Sequence, residues 1–286
     1  ETDAVSYTVT QSYEPELDTQ KFFGWYIIDT DTSSQGHVED WASGNLYQLG
    51  DEITITGNVV FNASVLDGAW LVFDENAKGA TYNAPQFVVS GSTTSDENLL
   101  TMERVGYSFY KWCTSDPDDA ITQGENESLE DYITRLKAWA DANAFTFGNT
   151  LTQNTTIYAC WIPKTTANYT LLIWTQNSDR TGYDFVASKV FTGNVGEYAG
   201  EGKITVVDNN DADYITVDGT TFQYVGFNFS TYDNDVEIVP EGTTVINAYF
   251  DRVHYRLKFY YARGYAGNNF NISQNNIYFQ IKLARH

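Results

Sequence analysis

The chain has 286 residues, long for one hydrophobic core, so two to four modules are expected. Its 16 Lys plus Arg stand against 38 Asp plus Glu, a formal charge of -22 that repels phosphate backbones and anionic lipid headgroups, which excludes nucleic acid and bare membrane as partner classes. No run approaches the ~20 apolar residues that a membrane-spanning helix needs, and the basic residues are scattered. In chain order, the opening residues lack the basic start and apolar stretch of a secretory signal, so the chain reads as a piece of something longer. Phe22-Phe23-Gly24-Trp25-Tyr26 reads as a strand, answered by Leu49-Gly50-Asp51 and an alternating run over residues 53–63. Residues 71–73 and 87–89 read as further strands, with 74–79 as a turn between them. The first phrase then returns as Gly106-Tyr107-Ser108-Phe109-Tyr110-Lys111-Trp112-Cys113 and closes on Thr156-Ile157-Tyr158-Ala159-Cys160-Trp161. Such self-similarity means small folding units strung along the chain.

Between the two parts of the second phrase lies an insertion holding a helix. Ser128 is a good N-cap, Asp131 sits at the third helical position, and Leu129, Tyr132, Ile133, Leu136, Trp139 and Ala140 recur at helical spacing. These signals predict a helix from Leu129 to about Asn143. Its stripe reads as packing on the module's own sheet, with an exposed binding face as the alternative. The loop before it, Asp116-Pro117-Asp118-Asp119, is acidic and stiffened by proline. Cys113 and Cys160 follow and precede the tryptophans of two strands, so a disulfide is expected if those strands are neighbours; two small buried residues are the alternative. Residues 163–168 have linker composition. After them, residues 169–174, 183–191, 222–229 and 243–250 read as four strands of a small antiparallel or mixed sheet. Residues 255–261 and 277–281 read as a strand pair, the edge of a further module or a docked tail. The class is mostly β (α+β), with boundaries at 1–68, 69–163, 168–252 and 253–286.

Phe73-Asp74-Glu75-Asn76-Ala77-Lys78-Gly79, the Gly106 to Trp112 phrase and the run Leu151 to Trp161 together resemble the internalin-type B-repeat, also called the Listeria-Bacteroides repeat. Residues 1–68 carry only its later parts, with Val65 in place of the closing Trp. Lys111 stands where the repeat has Gly, Cys113 where it has Tyr, and the helical insertion is atypical. Tyr169-Thr170, Thr181-Gly182-Tyr183, Thr192-Gly193, Tyr224-Val225-Gly226-Phe227 and Glu241-Gly242-Thr243-Thr244-Val245 are similar to mucin-binding-type repeats of bacterial surface proteins. The resemblance implies tandem small β-grasp-like modules in an elongated array on the bacterial cell surface, and no catalytic residues.

His37, His254 and His286 lie in no metal-ligand or triad-like neighbourhood, and no Walker loop, Gly-x-Ser-x-Gly or His-Glu-x-x-His is present. The expectation is therefore no enzyme and no cofactor. Asp116 with Asp118 and Asp119, and the run Asp208 to Asp213, are acidic enough to suggest calcium, yet neither has an ordered ligand loop, and solvated turns are the plainer reading. Flat aromatic rings stack on sugars and anchor protein interfaces, which makes Trp41, Tyr47, Tyr132 and Trp139 the candidate binding residues; filling small cores is the alternative for each. Function is expected to be adhesion to a host surface or secreted protein, such as an immunoglobulin or mucin, or to a glycan, by a monomeric extracellular chain. A structural spacer and a carbohydrate-binding part of a surface polysaccharide system are the rival readings.

Overall fold

The computed structural model describes residues 4–29, 46–55, 59–208 and 213–254. The fold is mostly β, 46% strand and 8% helix, in several sheets. The chain divides into two compact units, Glu1–Pro163 and Lys164–His286. No helix among the described residues is long and apolar enough to cross a membrane. The strand pair expected within residues 253–286 lies, beyond His254, outside the described residues.

In the first unit, β1 (Val5–Thr8) and β3 (Glu52–Ile55) form a two-stranded antiparallel ribbon. The main sheet holds β2 (Gln20–Asp29), β4 (Val59–Asp74), β7 (Thr155–Pro163) and β6 (Tyr107–Cys113) in that order, with β5 (Gln86–Val89) paired to β4. β4 is 16 residues long and pairs first with β2 and then, beyond residue 67, with β5 and β7. The expected boundary between residues 68 and 69 thus falls inside a continuous strand. Gly68 makes this possible, since a Cβ there would lie 2.3 Å from the Val88 carbonyl oxygen and leave β5 no room to pair.

The inserted segment forms α1 (Pro117–Ala120) and α2 (Leu129–Ala142). The Ser128 hydroxyl accepts from the Asp131 amide at 3.1 Å and donates to its carboxylate, so the cap expected from sequence is in place. Ile133, Leu136 and Ala140 of α2 are buried against Cys113, Cys160 and Ile162 of the sheet. The other face buries Leu71, Phe73, Trp112, Ile157 and Trp161.

The cysteines form no disulfide: both are free and buried. The register sets Cys160 opposite Lys111 and Cys113 opposite Tyr158. The two are therefore diagonal partners, a separation of about 7–8 Å between Cα atoms, whereas a disulfide spans roughly 4.4–6.8 Å. The neighbouring Cys113 thiol, together with burial, holds the Cys160 thiol above the ordinary range, and Cys113 Sγ itself donates to the Ala140 carbonyl.

In the second unit, β8 (Thr166–Gln176), β9 (Tyr183–Asn194), β13 (Phe227–Tyr232) and β14 (Thr244–Arg252) make one sheet in the order β13-β14-β8-β9. β8 and β14 are parallel and the other pairs antiparallel, so the sheet is mixed. Its alternation is plain in β14, where Thr244, Ile246, Ala248 and Phe250 are buried and Val245, Asn247 and Tyr249 are not. The short strands β10 (Ile204–Val207), β11 (Tyr214–Val217) and β12 (Thr220–Phe222) form a second sheet. Its Ile215, Val217 and Phe222 share one core with Tyr169, Leu171, Ile173, Phe191 and Phe250. The single strand expected over 222–229 is instead broken. Gly226 adopts a φ of 83° in a turn closed by the Phe227 amide on the Tyr224 carbonyl, so Phe222 ends one strand and Phe227 begins the next.

Leu71→Ala and Leu171→Ala, at fully buried positions of the two units, are each expected to cost about 2–5 kcal/mol of unfolding free energy in urea titrations, against under about 0.5 kcal/mol for the exposed Val225. Both thiols should be silent to a thiol-specific reagent in the native protein and should react, two per chain, in denaturant without reductant.

Candidate functional site

A solvent-facing group of rings sits on the outer face of the second unit's main sheet. β8 turns Ala167, Tyr169, Leu171 and Ile173 inward, so Thr170, Leu172 and Trp174 face outward. On β9 the same alternation would carry Phe185 to the core side with Ala187, Lys189 and Phe191. A β-bulge prevents this: Ile173 faces Ala187, but Trp174 faces Phe185, leaving Val186 as the extra residue. The half-twist flips the start of β9, and Phe185, 55% exposed, meets the Trp174 indole edge to face at 5.6 Å. Tyr183, two residues earlier, packs in the same way on Tyr249 of β14 at 4.9 Å. Val190 and Val245 continue the exposed surface along the two strands.

Polar partners fix the orientation of these rings. The Trp174 indole N–H donates to Asn247 Oδ1 at 2.8 Å, and Asn247 donates both its side-chain and backbone N–H to Asp233 Oδ2. The Tyr183 hydroxyl donates to Asp251 Oδ1 at 2.7 Å, a bond that raises its pKa above the usual phenol value. Beside Asp251 a polar recess of about 300 Å³ is lined by Gln176, Asn228, Ser230, Arg252 and His254. The Arg252 guanidinium is held by the Asn177 carbonyl at 3.0 Å and lies over the Phe227 ring. Flat ring faces with fixed donors and acceptors around them suit the alternating CH faces and hydroxyls of a sugar chain.

Of the residues expected to bind, Tyr132 and Trp139 share one cluster, and Tyr47 belongs to a different part of the first unit. Trp41 lies outside the described residues. Tyr47 is half-buried and exchanges two backbone hydrogen bonds with Trp25, which makes it a strand partner. Tyr132 and Trp139 are half-buried in the cluster under α2, where burial raises the Tyr132 pKa. The loop before α2 also has a structural use: the Asp116 carboxylate caps α1 by accepting from the Asp118 amide at 2.9 Å. Among the described residues no group of three or more His, Cys, Asp or Glu is placed to hold a metal ion. Sequence reasoning found the strands that carry Trp174, Phe185 and Tyr249 but not the bulge that gathers their rings on one face.

No family model matches the chain, and a search of curated proteins found no match.

Arg135 on α2 clamps Glu127 in the preceding turn, with its Nε and Nη2 donating to the two carboxylate oxygens at 2.8 and 2.7 Å. This pairing, with the Gly124 amide, lowers the Glu127 pKa from 4.5 to about 2. A depressed carboxylate pKa gives a contribution present above pH 4.5 and lost as pH falls toward 2. Arg135→Ala should move the Glu127 titration midpoint, followed by carboxyl NMR shifts, up toward 4.5, and should flatten the fall in stability across that window.

Proposed function

We propose that this chain is a non-catalytic part of a bacterial cell-surface adhesin, and that it holds a neutral glycan on the outer face of the second unit's main sheet. The observation that carries the reading is the platform of Trp174, Phe185, Tyr183 and Tyr249, with the indole tied to Asn247 and the Tyr183 phenol to Asp251. A ring locked by its hydrogen bond loses little conformational freedom on binding, so more of the stacking energy reaches the complex. The formal charge of -22 disfavours sulfated or sialylated chains, which leaves neutral glycans as the matching class. The extracellular bacterial setting rests on the resemblance to surface-protein repeats. One observation favours a spacer role for the first unit: both helix-borne aromatics proposed for binding, Tyr132 and Trp139, pack on that unit's own core.

Screening the purified chain on an array of neutral, sulfated and sialylated glycans tests the reading. Neutral glycans should be retained in preference to charged ones. Trp174→Ala should weaken that retention about tenfold or more, equivalent to roughly 1.4 kcal/mol of lost stacking, while leaving the unfolding transition of the first unit in place. Absence of any glycan retention at micromolar protein would leave the spacer role for the whole chain.

A further inference from the structure

The end of the same sheet remote from Trp174 carries a second recess of a different kind. There the start of β8 and the end of β9 meet the segment 195–203 around a cavity of about 130 Å³. Its floor is formed by Tyr169, Gly200 and Ile238, all buried; its rim by Asn194, Glu197, Tyr198, Glu201 and Lys203, all exposed. From Tyr169 to Trp174 is five residues of extended strand, about 17 Å, so the two sites do not overlap.

The recess is built rather than incidental. The Gly196 and Ala199 amides donate to the Ile238 and Val236 carbonyls at 2.9 and 2.8 Å, and the Ile238 amide returns a bond to Glu197. The rim is thereby pinned to the chain beside it. At Gly193 a Cβ would lie 2.5 Å from Ile238 Cδ1, so a larger residue there would displace the Ile238 side chain that helps close the floor. On the rim, the Glu197 carboxylate accepts from the Asn194 amide group at 3.0 Å, while the Glu201 and Lys203 side chains have no partner among the described residues.

The decisive atom is the Tyr169 hydroxyl. Tyr169 is 1% exposed and stacks on Phe191, yet its hydroxyl has no hydrogen-bond partner among the described residues. Burying an unpartnered hydroxyl is unfavourable, and phenylalanine would fill the same space without that cost. Tyr169 lines the recess, so a ligand seated there meets the residue that carries this unpartnered hydroxyl.

We propose that this recess binds a single terminal monosaccharide of a neutral glycan, with the Tyr169 hydroxyl completing its hydrogen bonding on the ligand. A simple ion would satisfy only one sign of the rim. A neutral polyhydroxylated ring uses both: its hydroxyls donate to Glu197 and Glu201, its oxygens accept from Lys203, and the Tyr198 ring offers a flat apolar edge. The volume equals that of about four waters, which admits the hydroxyl-bearing edge of one sugar and not a chain. Chain binding belongs to the outer face, and end binding to this recess.

The test uses the whole 286-residue chain and NMR titration with D-galactose, D-glucose, D-mannose and N-acetyl-D-glucosamine at up to tens of millimolar. At least one sugar should shift the amides of residues 193–203. Tyr169→Phe should weaken that sugar about tenfold, the loss of one buried hydrogen bond to ligand, while its melting temperature holds or rises. Glu201→Gln should weaken it as well, and Trp174→Ala should leave it unchanged. The proposal is overturned if none of the four sugars binds, or if Tyr169→Phe binds as tightly as the native chain. If Trp174→Ala removes monosaccharide binding, the sugar sits on the outer face, and this proposal falls while that reading stands. Binding that requires Tyr169, in a chain whose array retention ignores Trp174, supports this recess and sinks the outer face.

Discussion

Side chains on a strand alternate between two faces, and a single extra residue exchanges the faces for everything beyond it. That constraint governs both units. Bulges occur in the pairings β2–β4, β6–β7, β8–β9 and β13–β14, and at least three of them gather aromatic rings that strict alternation would separate. Because the rings supply so much of each small core, the position of each bulge decides which face of a sheet is filled and which is left to solvent. In the second unit the alternation of β14 is regular and its buried face is closed by β10 to β12, whereas the bulge in β9 places rings on the face away from that core.

The phrase that occurs twice has this physical meaning. In Phe22-Phe23-Gly24-Trp25 and in Phe109-Tyr110-Lys111-Trp112 a bulge follows the first ring, so rings three residues apart share a face, at 5.3 Å in the first copy and 5.5 Å in the second. The third position differs for a reason visible in three dimensions. A Cβ at Gly24 would lie 2.7 Å from Gln48 Nε2, because the chain at Tyr47 and Gln48 runs against it. Lys111 at the corresponding position pairs with Asp141 of α2, which also accepts from the Tyr110 hydroxyl. A crossing segment is present in both copies, Tyr47 against Trp25 and Ala144 against Cys113, and in the second the lysine also ties the inserted helix to the strand.

Much of the fold was legible in the sequence, and the reasons are local. The N-cap at Ser128, the spacing of Ile133, Leu136 and Ala140, and the alternating runs of β7, β8 and β14 each depend on neighbours in the chain. What was not legible depends on partners far away. The diagonal register of Cys113 and Cys160 is set by β6 against β7, and the outward turn of Phe185 and Tyr183 by one extra residue in β9. Tyr169 read simply as part of a strand motif. Its unpartnered hydroxyl emerges only when Gly193, Ile238 and the segment after β9 are folded around it.

The parallel pairing of β8 with β14 has a consequence for how the second unit comes into being. These strands are central neighbours in the sheet, yet they are the first and last strands described in that unit, and the bond that orients Trp174 reaches Asn247, 73 residues along. During synthesis, β8 and β9 leave the ribosome as a hairpin with one edge bare, and that edge stays open until β14 emerges. Completion of the sheet therefore waits on a closure of high contact order, and a chain ending before Thr244 carries β8 with one edge unsatisfied.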